Sequence, residues 1–342
     1  MLRKLFQTTS PSSQPFVISG SGTLGWDIVA ANLVEPGENA LVLSTGYFGD
    51  GFADCLRTYG ANVDVLKPAA VGGRPQLPEI ETALKSKKYK VITVTHVDTS
   101  TGVLSEIPNL SQLVRKVSPD TLLIVDGVCS VACEEIAFDA WDVDAVVTAS
   151  QKAIGCPAGL SISMFSGRAI EAFKARKTPP AAYSASIKNW LPSTFIRRLD
   201  CVLSHVHSIF PRASTNTNTL VMQNYEAKKP SYFATPSPQL IHALHTALGQ
   251  ILAKPLAERF ARHKEVSDKI KKAVTDLGLK QVALSPEDQA HAMTAIYLPE
   301  TVKATDILPK LAKSGIIFAG GIHKEIAPKY IRFGHMGVSV VS

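Results

Sequence analysis

Short runs of apolar, mostly β-branched residues recur through the first half of the chain. They predict strands at Phe16 to Ser19, Ala40 to Ser44, Asn62 to Leu66, Val91 to Thr95, Leu122 to Val125, Ala145 to Thr148 and Leu160 to Phe165. Between most of them lie helix-like amphipathic stretches, at Gly25 to Leu33, Gly49 to Tyr59, Pro78 to Lys85 and Leu110 to Val117. Strands apolar on both faces, alternating with helices, predict an α/β fold with a mostly parallel sheet of the seven-stranded type between helices. From about Pro236 the texture becomes one long helical pattern, Gln239 to Asp276, followed by shorter strands around Ala292 to Leu298 and Gly315 to Ala319. A large domain over 1–254 and a smaller, incomplete α+β domain over 255–342 are therefore expected. Ser193 to Val221 keeps no sustained period and its second half, from Ala213, is a polar low-complexity tract, so an irregular insertion is expected there.

The 342 residues are 45% apolar, 19% charged and 7% aromatic, enough for two ordinary domains. The apolar runs fall far short of the roughly 18 residues of a membrane span, so no membrane partner is expected. The 36 Lys and Arg against 29 Asp and Glu leave a charge of +7. The bases are scattered and not interleaved with aromatics, which argues against nucleic acid and for small anions. Cys55, Cys129, Cys133, Cys156 and Cys201 form no CxxC pair, so neither a disulfide framework nor a zinc site is indicated. An intracellular location is expected, the cytoplasm first, with peroxisome or mitochondrion as alternatives. The basic start, Met1 to Ser10, superficially resembles a targeting segment, but it lacks a cleavage signature and reads as a helix end running into a loop.

Three motifs carry candidate chemistry. Ser19 to Gly25 (Ser-Gly-Ser-Gly-Thr-Leu-Gly) follows a strand and opens a helix, as a phosphate-binding turn does, because glycines admit an anion to the backbone and a helix start offers free N–H groups. The same spacing satisfies GxGxxG, which leaves a dinucleotide site open, and a plain strand-to-helix turn as well. Asp126 ends a fully apolar run, where an acid points into the crevice of an open α/β sheet or merely forms a turn. Lys152 follows another apolar run among small residues, where burial would make its amine nucleophilic; a surface lysine is the alternative. Together the three make a parts list for pyridoxal phosphate: a phosphate cradle, an acid for the pyridine nitrogen and a lysine for the aldehyde.

In Ser150-Gln-Lys-Ala153 and Val125-Asp-Gly-Val-Cys-Ser130 the chain resembles the class V, fold type I, aminotransferases, in particular the alanine–glyoxylate and serine–pyruvate members. The resemblance runs from about Phe16 to Gly337, broken at Ser193 to Val221. It implies that Lys152 is the Schiff-base lysine and that Asp126 keeps the pyridine nitrogen protonated. It further implies a phosphate site at Ser21, Gly22, Thr23 and Gln151, a ring stacked on the cofactor at Phe48, and a hydroxyl contact at Thr99. Tyr232 and Thr235 match residues that reach the phosphate of a neighbouring subunit, which implies a homodimer. Arg332 matches the arginine that grips the substrate carboxylate, for which its planar fork is suited. The implied reaction moves an amino group from alanine, or serine, to glyoxylate, yielding glycine and pyruvate or hydroxypyruvate.

Relatives carry residues before and after the matched region, and they have no counterpart of Ser193 to Val221. A flawed gene model with a retained intron, or an inactive remnant, is one expectation. A cysteine desulfurase is a rival within the fold, although Gln151 stands where those enzymes have His; a nicotinamide dehydrogenase would leave Asp126 and Lys152 without roles. His96, near Asp98, suggests acid–base chemistry but is expected to be a hydrogen-bonded wall residue. Cys129 and Cys133 are expected to be small packing residues, with no metal.

Overall fold

The structure, a computed structural model, describes residues 1–190 and 234–341. After a short helix α1 (Leu2–Leu5), the chain alternates strictly. It runs β1 (Gln14–Ser19), α2 (Leu24–Leu33), β2 (Asn39–Leu43), α3 (Tyr47–Thr58), β3 (Asn62–Leu66), α4 (Leu77–Ser86) and β4 (Val91–Thr95). A small hairpin of β5 (Val97–Asp98) and β6 (Val103–Leu104) leads into α5 (Ile107–Val117), β7 (Leu122–Asp126), β8 (Ala145–Ala149), β9 (Leu160–Phe165) and α6 (Gly167–Lys174).

Seven strands form one sheet in the order β1-β9-β8-β7-β4-β2-β3. It is parallel except at β9, which runs antiparallel to both β1 and β8. Alternation of side chains along each strand gives the sheet two apolar faces. Leu123 and Val125 belong to a core with Ile80, Leu84, Leu110 and Val114 of α4 and α5; Leu122 and Ile124 belong to the opposite core with Ile28, Val29, Phe52 and Leu56 of α2 and α3. Both faces being covered explains why these strands read as unbroken apolar runs.

The long helix expected over Gln239 to Asp276 is two helices, α7 (Pro238–Ile251) and α8 (Leu256–Asp276). Pro255 holds an extended conformation (φ −55°, ψ 134°) at the start of α8, and its ring cannot supply the N–H that a continuous helix needs. Leu244, Leu248 and Ile251 of α7 pack into the first core of the large sheet. Beyond α8, β10 (Met293–Tyr297), α9 (Ala304–Lys313), β11 (Ala319–Gly320), β12 (Tyr330–Gly334) and a last turn α10 (Val338–Val341) follow. The order β10-β12-β11 makes a separate antiparallel sheet. The strand expected at Gly315 to Ala319 is reduced to Ala319 and Gly320, and the central strand, β12, carries no periodic signal long enough to have marked it. The expected insertion at Ser193 to Val221 lies outside the described residues.

Candidate active site

Parallel strands β7 and β8 are neighbours, with Asp126 paired in register to Val147. Asp126 is the last residue of β7, and Lys152 follows the last residue of β8 by three positions. Both therefore leave the same edge of the sheet, from strands that lie about 5 Å apart. Strand β1 points the same way, because it is antiparallel to β9, which is antiparallel to β8; Ser19 and the glycine-rich turn open at that edge too.

Packing explains the glycines. A Cβ on Gly22 would lie 2.8 Å from Val128 Cγ2, and one on Gly25 would lie 2.8 Å from Val147 Cβ. The turn is thus pressed onto the ends of β7 and β8, where a side chain would push it away. The N–H groups of Ser21, Gly22 and Thr23 make no backbone hydrogen bond among the described residues, whereas the next four residues bond back to Ser21, Gly22 and Thr23 carbonyls. Three free N–H groups at the start of a ten-residue helix, beside a Ser21 Oγ to Thr23 Oγ1 contact of 2.6 Å, form an anion cradle. The dinucleotide alternative falls here: its glycine turn follows a strand in the interior of the sheet, and β1 is an edge strand.

Asp126 is 2% exposed and, among the described residues, has no cationic partner. Asp144 makes the contrast plain. That carboxylate is fully buried as well, but Arg115 at 2.7 Å and Arg168 at 2.6 Å clasp it, which is a structural arrangement. Asp126 instead accepts the Trp26 Nε1–H on Oδ2 at 2.8 Å and the Val128 N–H on Oδ1 at 3.0 Å. Burial pushes its carboxyl up to about 6, the two donors oppose the rise, and the nearby Asp98 carboxylate adds to it. A buried anion without a counter-ion is costly in isolation and is suited to a positively charged ligand. Lys152 is half-buried, and its amine makes no hydrogen bond or ion pair with another described residue.

Arg332, on β12, crosses from the small sheet to the same edge. Its Nε donates to the Gly320 carbonyl at 2.8 Å and its Nη1 to the Thr99 carbonyl at 3.2 Å. No described carboxylate pairs with it, so most of its five N–H donors remain available to an acid. Tyr330, two residues earlier and fully buried, donates its hydroxyl to the Ser100 carbonyl at 2.5 Å, tying β12 to the same loop.

Of the remaining expected residues, Phe48, Thr99 and Gln151 follow strands that end at this edge. Phe48, near the start of α3, lies edge-on to Trp26 with centroids 6.4 Å apart. Thr99 is buried in the loop after β5, and Gln151 is exposed beside Lys152. Thr235 is exposed ahead of α7, and Tyr232 lies outside the described residues. The expected hydrogen-bonded His96 differs from what is found. Its Nδ1 is buried without a partner, its ring meets Trp141 edge-on at 6.3 Å, and burial lowers its pKa to about 4. Asp98 does not pair with it; it accepts from Ser100 N–H (2.9 Å) and Oγ (2.6 Å) and from the Phe48 and Gly49 N–H groups. Cys129 and Cys133 are buried packing thiols, their pKa values raised by burial.

Two contributors escaped sequence reasoning. Trp26 sits in an apolar helix stripe, where a tryptophan reads as core. Arg259, in α8, looks like a surface base, yet it donates to the carbonyls of Ala132 (2.6 Å) and Ala153 (2.8 Å). No local signal marks either contact, because each partner is remote in the chain.

Comparison with known proteins agrees with this geometry. Residues 2–185 match the family model for aminotransferase class-V. The chain is 46% identical to alanine–glyoxylate aminotransferase 1 of Saccharomyces cerevisiae, over 98% of this chain and 82% of that one. It is 29% identical to an L-aspartate–glyoxylate aminotransferase of Paracoccus denitrificans, over 98% of this chain and 76% of that protein. The crystal structure of an alanine–glyoxylate aminotransferase from Nostoc superposes with a TM-score of 0.82 at 28% identity, covering 99% of this chain and 80% of the other. On that family model, on these relatives and on the fold they share with it, the chain belongs to the class V aminotransferases.

Proposed function

We propose that this aminotransferase holds pyridoxal phosphate and moves an amino group from alanine to glyoxylate, releasing pyruvate and glycine, as a homodimer. The observation that carries the reading is the meeting, at one sheet edge, of an amine (Lys152), a buried carboxylate (Asp126) and a guanidinium (Arg332) that have no ionic partner among the described residues. When bound, the cofactor supplies an electron sink for the pair left on the donor Cα.

The chain's own groups account for the rest. The free N–H groups of Ser21, Gly22 and Thr23 suit the phosphate, and Gln151 offers a further side-chain contact to it. Asp126 suits a protonated ring nitrogen, Phe48 offers an aromatic face, and Thr99 a hydroxyl. Arg332 binds the α-carboxylate of the donor and then of glyoxylate, so both acids are oriented by the same fork. Lys152 takes the proton from the donor Cα. Tyr232 and Thr235 complete the phosphate site of the neighbouring subunit, with residues 255–342 as the small domain. Glyoxylate is the acceptor named for both the Saccharomyces and the Paracoccus relatives, and alanine is the donor named for the relative of higher identity.

The purified protein is expected to be yellow with cofactor and to lose that band on borohydride reduction, with the added mass on Lys152. Turnover of alanine with glyoxylate is expected to exceed that of serine or aspartate and to vanish in Lys152→Ala. A colourless protein after incubation with pyridoxal phosphate would overturn the reading. Sedimentation as a monomer would overturn the dimer.

A further inference from the structure

Trp26 has more to do than fill the core. Its ring is 7% exposed, stacks on Phe52 at 5.4 Å and an interplanar angle of 13°, and meets Phe48 edge-on. A phenylalanine would satisfy those contacts. What only an indole offers is the Nε1–H, and that is donated at 2.8 Å to Asp126 Oδ2, a hundred residues away in sequence. With Val128 N–H on the other oxygen, both carboxylate oxygens are held, so the plane of the group is fixed. Building on the cofactor reading above, we propose that Trp26 is a positioning residue for transamination: its indole N–H keeps Asp126 the weaker base of the pair it forms with the cofactor ring nitrogen, so that the proton stays on nitrogen.

The physical reason is competition for one proton. A buried carboxylate becomes more basic, and a basic enough carboxylate takes the proton from a neighbouring pyridinium. Charge-assisted donors to the carboxylate oppose this by stabilising its anion. The other groups around Asp126 do not help. Asp98, at the end of β5, is a second buried carboxyl whose charge works against ionisation of Asp126, and Cys129, on the loop after β7, stays a neutral thiol because burial pushes it up to about 12. Lys152, whose charge acts on Cys129, is engaged in the reaction itself. That leaves the Val128 amide and the Trp26 indole, and of the two only the indole is a side chain that substitution removes.

The test uses the full-length protein loaded with ring-15N-labelled pyridoxal phosphate, read by the 15N chemical shift of the ring nitrogen. In Trp26→Phe the ratio of protonated to neutral nitrogen is expected to fall on the order of tenfold, the effect of losing one hydrogen bond to a charged group. The kcat should fall with it while KM for alanine holds, since Arg332 is untouched. Phe52→Leu, which loosens the ring but keeps the N–H, is expected to lower stability and leave the 15N shift at its wild-type value. Should Trp26→Phe fail to fold, β-(3-benzothienyl)alanine at position 26 retains the bicyclic shape without the N–H and is expected to give the same change. A wild-type 15N shift in the benzothienyl or phenylalanine protein, or an equal displacement in Phe52→Leu, overturns the inference alone. A wild-type protein that takes up no cofactor overturns the functional reading and this inference with it.

Discussion

Arg259 Nη2 donates to the carbonyl of Ala153, the residue after Lys152, at 2.8 Å, while its Nε reaches the Ala132 carbonyl at 2.6 Å. One guanidinium on α8 thus bridges the loop that follows Asp126 at the end of β7 and the loop after β8 that carries Lys152. A neighbouring device works from the same helix. His263, one turn on, donates Nδ1–H to the Arg259 carbonyl at 2.8 Å and accepts the Gly337 N–H on Nε2 at 3.1 Å, an arrangement that requires the neutral ring.

Replacing Arg259 with Met would leave two part-buried carbonyls without donors. The expected cost is about 2–6 kcal/mol in urea unfolding, given ~1–3 kcal/mol for each orphaned group. Arg259→Lys can reach only one carbonyl at a time and should recover part of that loss. The loop carrying Lys152 loses its brace, so kcat is expected to fall further than stability alone explains. Unchanged kcat in a folded Arg259→Met protein would remove Arg259 from the positioning of Lys152.

Arg332→Lys keeps the charge and loses the fork. On the proposed reading the donor acid and glyoxylate share this group, so KM is expected to rise for both, on the order of 100-fold, the loss of a bidentate charged contact. Steady-state kinetics varying alanine and glyoxylate separately read this out. A rise for only one substrate would place the second carboxylate elsewhere.

Gly25→Ala is expected to destabilise the fold by about 1–3 kcal/mol, because its Cβ would lie 2.8 Å from Cβ of the fully buried Val147. Gly22→Ala meets Val128 instead, directly behind the anion cradle, so its larger effect should be on cofactor affinity, measured by fluorescence quenching during titration with pyridoxal phosphate. Equal affinity in Gly22→Ala and wild type would move the phosphate away from this turn.

His96 and His335 are buried neutral, each with a pKa lowered to about 4, burial being the main cause in both. In the unfolded chain they titrate near the ordinary value of roughly 6.5. Between those values the unfolded state binds the proton and the folded state does not, so stability rises with pH across that window and is lost as pH falls from 6.5 towards 4. The span corresponds to ~3 kcal/mol per histidine. Denaturation midpoints from pH 7.5 to 4 test this, and His96→Leu is expected to flatten the slope; an unchanged slope would exonerate His96.

Much of the seven-stranded sheet was legible because its central strands are buried on both faces, which forces continuous apolar runs such as Leu122 to Val125. The small sheet was less legible. Its outer strand is two residues long, and β12 mixes Tyr, Arg and Phe without alternation that stands out. The break at Pro255 was visible in the residue itself, but a long apolar period drew the two helices together. His96 was misread for a related reason: the residue type suggests a hydrogen bond, and only the packing around it shows that Nδ1 has none.

By itself, the order of residues determined the α/β alternation and the three pieces of chemistry that are local in the chain. A glycine turn, a strand-end acid and a strand-end lysine are each written in fewer than ten consecutive residues, because they depend on where a strand stops. Only the tertiary structure decided which groups surround them. Trp26 meets Asp126 across a hundred positions, Arg332 meets the Thr99 carbonyl across 233, and Arg259 reaches Ala153 across 106. Contacts at that separation arise from how sheets and helices close on one another, and a hydrogen bond between distant residues leaves no period and no local composition by which to find it.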